Sequence, residues 1–220
     1  MDIDLIIRSI PFLGEAALMT LALAAGSLVL GFGVATLLVT ARFARCKALR
    51  GIAVAYVSVM RGTPLLVQLF ILYFGGPQVG LVLSPFVAGT VAFGLNIGAY
   101  MSEGLRGAIL SVDKGQNEAA RTLGFGRLDT LRHFILPQCA ALMIRSLGVN
   151  AVILVKGTAL ISTIGVVDLT YSSQRIMTSS VRPFEVFGIA AAYYMLIVFG
   201  LTQFMRAVER RFALPEEVRE

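Results

Sequence analysis

Five polar side chains stand in otherwise apolar stretches: Gln68, Asn96, Lys156, Thr158 and Ser162. Hydrogen-bonding and charged groups are costly in hydrocarbon, so residues of these types at such places carry a prior for contact with a polar solute along a pathway. Close to Gln68 runs Arg61, Gly62, Thr63, Pro64. Pro64 has no N–H to offer the carbonyl of Met60, and Gly62 loosens the turn, so a break is expected there. Such a break either lines a pathway or is a structural kink with Arg61 snorkelling to the interface, and the residues alone leave both open. Catalytic chemistry is not indicated. His133 is the single histidine, no His, Asp or Glu cluster forms a metal or acid–base set, and no G-x-x-x-x-G-K-[ST] phosphate loop occurs. The residues read as a solute path with no catalytic residue, no metal and no cofactor held by this chain.

The elements that must position them are membrane helices. Of the 220 residues, 57% are hydrophobic and 15% charged, with a mean hydropathy of +0.81, more apolar surface than a soluble core of this size can hide. Ala16 to Ala41 and Gly62 to Ser102 hold no charge at all, and a crossing needs only about 20 such residues. Backbone groups in lipid must be paired within the segment, and the short alternating strands of a barrel are missing, so the fold class is all-α and polytopic. Five spans are expected, roughly 13–41, 52–75, 85–106, 138–160 and 185–206, in a single transmembrane domain over 1–220.

Charge gives the orientation. Arg42, Arg45, Lys47 and Arg50 follow the first span; Lys114, Arg121, Arg127 and Arg132 follow the third; Arg206, Arg210, Arg211 and Arg219 end the chain. Positive residues collect on the cytoplasmic side, which sets the N-terminus outside and the C-terminus inside. The net charge of +6 is then a topology signal, not a nucleic-acid surface. Met1 to Pro11, with Asp2 and Asp4, lacks the basic start of a signal peptide, so the first span is expected to stay as an anchor. Cys46 and Cys139 have no metal spacing and are expected as free thiols.

The connection from about 113 to 137 carries the most information. Glu118 to Leu123 suits a short helix, Gly124 and Gly126 supply a stop, and Leu128, Leu131 and Ile135 recur at helical spacing before Pro137. Two short amphipathic helices at an angle, held at the membrane face, suit the groove of a partner protein. Glu103 and Arg106, three apart, share a face as a local ion pair or a gate.

This stretch resembles the EAA loop of bacterial ATP-binding-cassette importer permeases: Glu118, Ala119 and Ala120, three residues, Gly124, nine residues, a hydrophobic position, one residue, then Leu136 and Pro137. The pattern's Ile is Phe134 here. The flanks are similar to the polar amino-acid uptake subfamily: Arg61 to Gln68, Ala99-Tyr100 with Ser102-Glu103 and Arg106-Gly107, Gly115-Gln116, Lys156-Gly157-Thr158 and Ile164-Gly165-Val166. The resemblance implies a type I importer fold in which two permease subunits, identical or related, form the pore. Two cytoplasmic ATPases bind the loops and hold the ATP and Mg, and an extracytoplasmic solute-binding protein delivers an amino acid or derivative. It makes Glu118, Ala119, Ala120, Gly124, Leu136 and Pro137 the ATPase-coupling residues, with Arg61, Thr63, Pro64, Gln68, Asn96, Lys156, Gly157, Thr158 and Ser162 along the substrate pathway. Lys156 would suit an α-carboxylate or else snorkel to the outer interface, and Gly157, where relatives carry Asp or Ser, favours a neutral or acidic substrate over a cationic one. A self-contained secondary transporter or channel is the alternative; it would show paired internal repeats, and none is visible.

Overall fold

The computed structural model describes residues 3–212 of the chain; Met1, Asp2 and Arg219 fall outside them. Every described element is helical. Helix α1 (Ile3–Phe43) runs 41 residues, about 60 Å at 1.5 Å per residue, and passes through Pro11 without interruption. The helix that carries the first expected span therefore starts near residue 3, ahead of the apolar run read from residue 13. Next come α2 (Lys47–Gly62) and α3 (Leu65–Phe70), the latter drawn out by a π turn (Ile71–Gly75) and a 3-10 turn (Gly76–Val79). Helix α4 spans Pro85–Ser111, α5 Lys114–Thr122, α6 Arg127–Thr130 and α7 Leu136–Gly157. A 3-10 turn (Thr158–Ile164) leads to α8 (Leu169–Ser180) and α9 (Pro183–Phe212).

Three runs are long and apolar enough to cross a membrane: Ile3–Phe43, Arg127–Ile164 and Pro183–Phe212. A fourth is reached when α2 and α3 with its turns, bent by 104° at their break, count as one. The expected second span is thus two pieces. Helix α4 has the length, 27 residues, but Asn96, Tyr100, Ser102 and five glycines dilute its apolar run. It is an interior helix: α1 lies along it so closely that a Cβ on Gly94 would come within 2.6 Å of Leu30, and one on Gly98 within 2.8 Å of Val34. The segment 161–184, between the fourth and fifth expected spans, contains α8. Its residues are too polar to announce a helix by apolar period, yet Leu169, Ser172 and Ser173 are buried.

Three buried clusters fix the parts that matter. Leu23, Leu69, Phe93, Ile97 and Met101 hold the broken helix and α1 to α4. Leu13, Ala17, Leu169 and Ala190 join α1, α8 and α9. Ala108, Ile135 and Cys139 seat the basic connection beneath α4. Cys139 is buried and Cys46 exposed, and both are free thiols.

Candidate translocation site and coupling loop

The break forms where Pro64 interrupts the ladder. Helix α2 ends at Gly62, and Thr63 and Pro64 take extended backbone angles. The Met60 carbonyl, which the N–H four residues on would have served, accepts instead from Asn96 Nδ2 at 2.9 Å and Gln68 Nε2 at 3.0 Å. Gln68 Nε2 also donates to the Thr63 hydroxyl at 2.7 Å and the Thr63 carbonyl at 3.2 Å. Asn96 Nδ2 is within 3.0 Å of Gln68 Oε1 as well. Two amides, one from α3 and one from α4, therefore hold the bend. Arg61 lies over the Tyr100 ring, 5.1 Å from its centroid, a cation–π contact that ties the end of α2 to α4. Tyr56 adds a bond to the Leu95 carbonyl at 3.0 Å.

Behind this clamp is a cavity of about 280 Å³, lined among others by Leu65, Phe93, Asn96, Tyr100, Asn150 and Gly157. Gly157 deepens it: a Cβ there would meet Phe93 at 3.3 Å. The structure brings Arg61, Thr63, Pro64, Gln68 and Asn96 together, with Gly157 across the cavity from Asn96. Lys156 instead lines a separate groove of about 400 Å³ with Arg145, Thr202, Arg206 and Glu209, where Arg145 and Glu209 pair at 2.7 Å. Thr158 and Ser162 are buried and donate to carbonyls three residues back, both at 2.7 Å. Phe93, Tyr100 and Asn150 were not singled out from sequence as site residues. Their signal is the spacing 93, 96, 97, 100 on α4 and 150, 153, 154, 157 on α7, one helical face each.

The basic connection is built by local rules. Asp113 Oδ1 accepts the Gly115 N–H to start α5. The helix closes on Gly124, at φ +85°, with Gly124 N–H donating to the Arg121 carbonyl and Phe125 N–H to the Ala120 carbonyl. That left-handed stop has little strain only for glycine. Glu118 and Ala119 are exposed while Ala120 is buried, so α5 keeps an open outer face. The second helix does not end at Pro137. A π turn over Leu131–Ile135 carries α6 straight into α7, and Pro137 sits in the first turn of α7, where its missing N–H is tolerated. Phe134 stacks edge-on against Phe125 at 4.9 Å, so the two aromatic rings fill the corner beside Gly124 together. At the inner end of α4, Glu103 pairs with Arg106 at 2.7 Å and Arg42 of α1 at 3.3 Å. His133 Nδ1 lies 3.1 Å from the Asp129 carbonyl. Among the described residues no group of His, Cys, Asp or Glu could hold a metal ion.

Comparison with known proteins accounts for this architecture. Residues 27–214 match the family described as binding-protein-dependent transport system inner membrane component. The chain is 39% identical to the L-cystine transport system permease of Bacillus subtilis, over 94% of this chain and 90% of that one. It is 37% identical to the glutamine transport system permease of Escherichia coli, over 94% and 95%, and 36% identical to the nopaline permease of Agrobacterium fabrum, over 95% and 91%. A crystal structure of an amino acid ABC transporter with histidines superposes with a TM-score of 0.89 at 33% identity, over 96% of this chain and 99% of that one. The methionine transporter, at 19% identity and a TM-score of 0.70, shares the fold. The chain belongs to the binding-protein-dependent inner-membrane components, as a non-catalytic, multi-pass permease subunit of an ABC importer for amino acids or their derivatives, coupled to a partner ATPase.

Proposed function

We propose that this permease carries a neutral amino acid, or a derivative of one, through a path that begins at the Asn96–Gly157 cavity, and that the 113–137 loop is the ATPase's handle. Five spans complete the pore subunit: α1, the bent α2–α3 pair, α4, α7 and α9. The N-terminus is outside and the C-terminus cytoplasmic, in the inner membrane of a bacterium. A second permease, identical or related, faces the cavity and closes the path, and an extracytoplasmic binding protein loads it.

The observation that carries this reading is the open face of α5. Glu118 and Ala119 stand exposed on a helix whose far side is anchored through Ala120 and whose end is fixed by Gly124. A rigid, solvent-facing helix is what a partner can push. Glu118 meets the ATPase, Gly124 sets the corner, and Leu136 with Pro137 passes the motion into α7, one wall of the cavity. Closure of the ATPases on ATP would then shift the population of inward- and outward-open states. Gly157, without a side chain, leaves room and offers no carboxylate, which favours neutral substrates such as those named for the glutamine and cystine relatives. The reconstituted complex tests this. Uptake of glutamine or cystine into proteoliposomes should need ATP, the ATPase and the binding protein; uptake that ignores ATP and follows an ion gradient would defeat the proposal.

A further inference from the structure

A cleft of about 550 Å³ lies between the 113–137 connection, the Phe43 end of α1 and the Ser111 end of α4. Its floor is apolar: Val39 of α1, Ile109 of α4, and Leu131 and Ile135 of the π turn, with Val39 and Ile135 buried. Its rim is cationic. Lys114 and Arg121 come from α5 with Asn117 between them, and spacings of three and four residues set all three on one side of that helix. Arg127, the first residue of α6, adds a third cation from beyond the Gly124 corner.

Among the described residues no carboxylate lines this cleft, although Asp113, Glu118 and Asp129 belong to the same connection. The ion pairs of the described residues join Glu103 to Arg42 and Arg106, and Glu209 to Arg145, so Lys114, Arg121 and Arg127 have no carboxylate partner there. Cations gathered round one cavity repel one another, and an anion seated among them relieves that repulsion. The anion must also suit the floor. Phe43 and Leu110, 49% and 57% exposed, carry the apolar wall out of the cleft along the ends of α1 and α4. A free phosphate would satisfy the rim and leave that wall wet. A phospholipid satisfies both: its phosphate oxygens accept from the ammonium and guanidinium groups, and an acyl chain covers the wall. Glu118 and Ala119 are outside the lining and stay open on α5 for the ATPase.

We propose that this cleft is a binding site for an anionic phospholipid of the cytoplasmic leaflet, its phosphate held among Lys114, Arg121 and Arg127 and a chain lying against Phe43 and Leu110. The site goes beyond the coupling role of the connection and takes from that reading only the cytoplasmic placement. A lipid seated there braces α5 and α6 against the ends of α1 and α4, so the leaflet's anionic lipid becomes a support of the element that the ATPase pushes.

Native mass spectrometry of the assembled importer, titrated with phosphatidylglycerol or phosphatidylcholine, tests this. The wild type should hold phosphatidylglycerol about tenfold more tightly than phosphatidylcholine, and the triple variant Lys114→Gln, Arg121→Gln, Arg127→Gln should bring the two within about twofold. A second triple variant, Arg45→Gln, Lys47→Gln, Arg50→Gln, removes the same charge from the exposed residues after α1 and should keep the wild-type preference. Asn117→Asp, which sets a carboxylate on the rim at unchanged size, should weaken phosphatidylglycerol binding about threefold or more. Inorganic phosphate at the lipid's concentration should displace none of it. The proposal is overturned by equal binding of the two lipids to the wild type, by equal losses in the two triple variants, by an unmoved affinity in Asn117→Asp, or by displacement with inorganic phosphate. Loss of the ATPase from the cleft variant with its lipid preference intact would overturn it too, by giving the cleft to the ATPase. Uptake is read apart: transport that ignores ATP strikes the importer reading and leaves the lipid result standing, whereas lost lipid selectivity beside ATP-driven uptake strikes this proposal alone.

Discussion

The 113–137 connection and the break between α2 and α3 are both short irregular pieces between helices, yet they are held in opposite ways. Local rules build the loop's turn: an Asp113 cap, a Gly124 stop and backbone bonds spanning three to five residues. The break depends on a residue from another helix. Pro64 frees the Met60 carbonyl, and Asn96, 36 positions away, comes back to satisfy it. A locally built piece can present a constant shape to an outside partner. A piece held by a distant side chain has its shape tied to whatever that side chain senses, and Asn96 also lines the cavity.

Substitutions at the two places should therefore fail differently. The largest effect is expected from Gly124→Val. A β-branched residue at φ +85° costs about 1–2 kcal/mol and turns the corner elsewhere; the protein should insert normally, but ATP-driven uptake should be almost abolished while hydrolysis continues. Wild-type uptake in that variant would show that the corner carries no coupling. Next is Asn96→Leu, which removes the α4 side of the clamp and leaves Gln68 as the remaining side-chain donor to the Met60 carbonyl, at a cost of about 0.5–1.5 kcal/mol for the lost hydrogen bond. Uptake should fall about tenfold, the equivalent of about 1.4 kcal/mol on the barrier, while copurification of the ATPase is unchanged; loss of the ATPase instead would erase the distinction between the two regions.

Gly157→Asp probes the cavity alone. The new Cβ crowds Phe93 at 3.3 Å and adds a carboxylate, so competition assays should show preference moving toward arginine or lysine by about tenfold relative to glutamine. No shift in preference would put the substrate elsewhere. The smallest change is Phe134→Ile, which restores the family's residue but loses the edge-on contact with Phe125. That is worth about 0.5–1.5 kcal/mol, so Tm should fall slightly and uptake stay within about twofold of wild type. A severe transport defect there would mean the aromatic corner is itself part of the coupling surface.

The same contrast explains what the sequence makes legible. Elements fixed by neighbours in the chain can be read from it: the Glu118–Gly124 helix and stop, the Pro64 break and the apolar runs of α1, α7 and α9. Pro137 misleads, because it falls in the first turn of α7, where a proline's missing N–H is tolerated, and so does not mark an end. Helix α8 escapes notice because its burial comes from α1 and α9, not from its own composition. The partners of Gln68 and Asn96 could not be read either. Their polarity in an apolar run signals a role, but that the role includes capping Met60 depends on α4 crossing the break. Lys156 shows the reverse: its charge and spacing mark it for a substrate path, and the turn of α7 sets it in the Arg145–Glu209 groove.

The most direct measurement of the account's centre is a site-specific cross-link. A photo-reactive side chain replacing Glu118 in the assembled importer should capture the ATPase subunit, and the same group replacing the exposed Val79 on the proposed outer connection should not. Capture from Val79 but not from Glu118, or from neither in a complex that retains its ATPase, would contradict the assignment of the 113–137 loop as the coupling element.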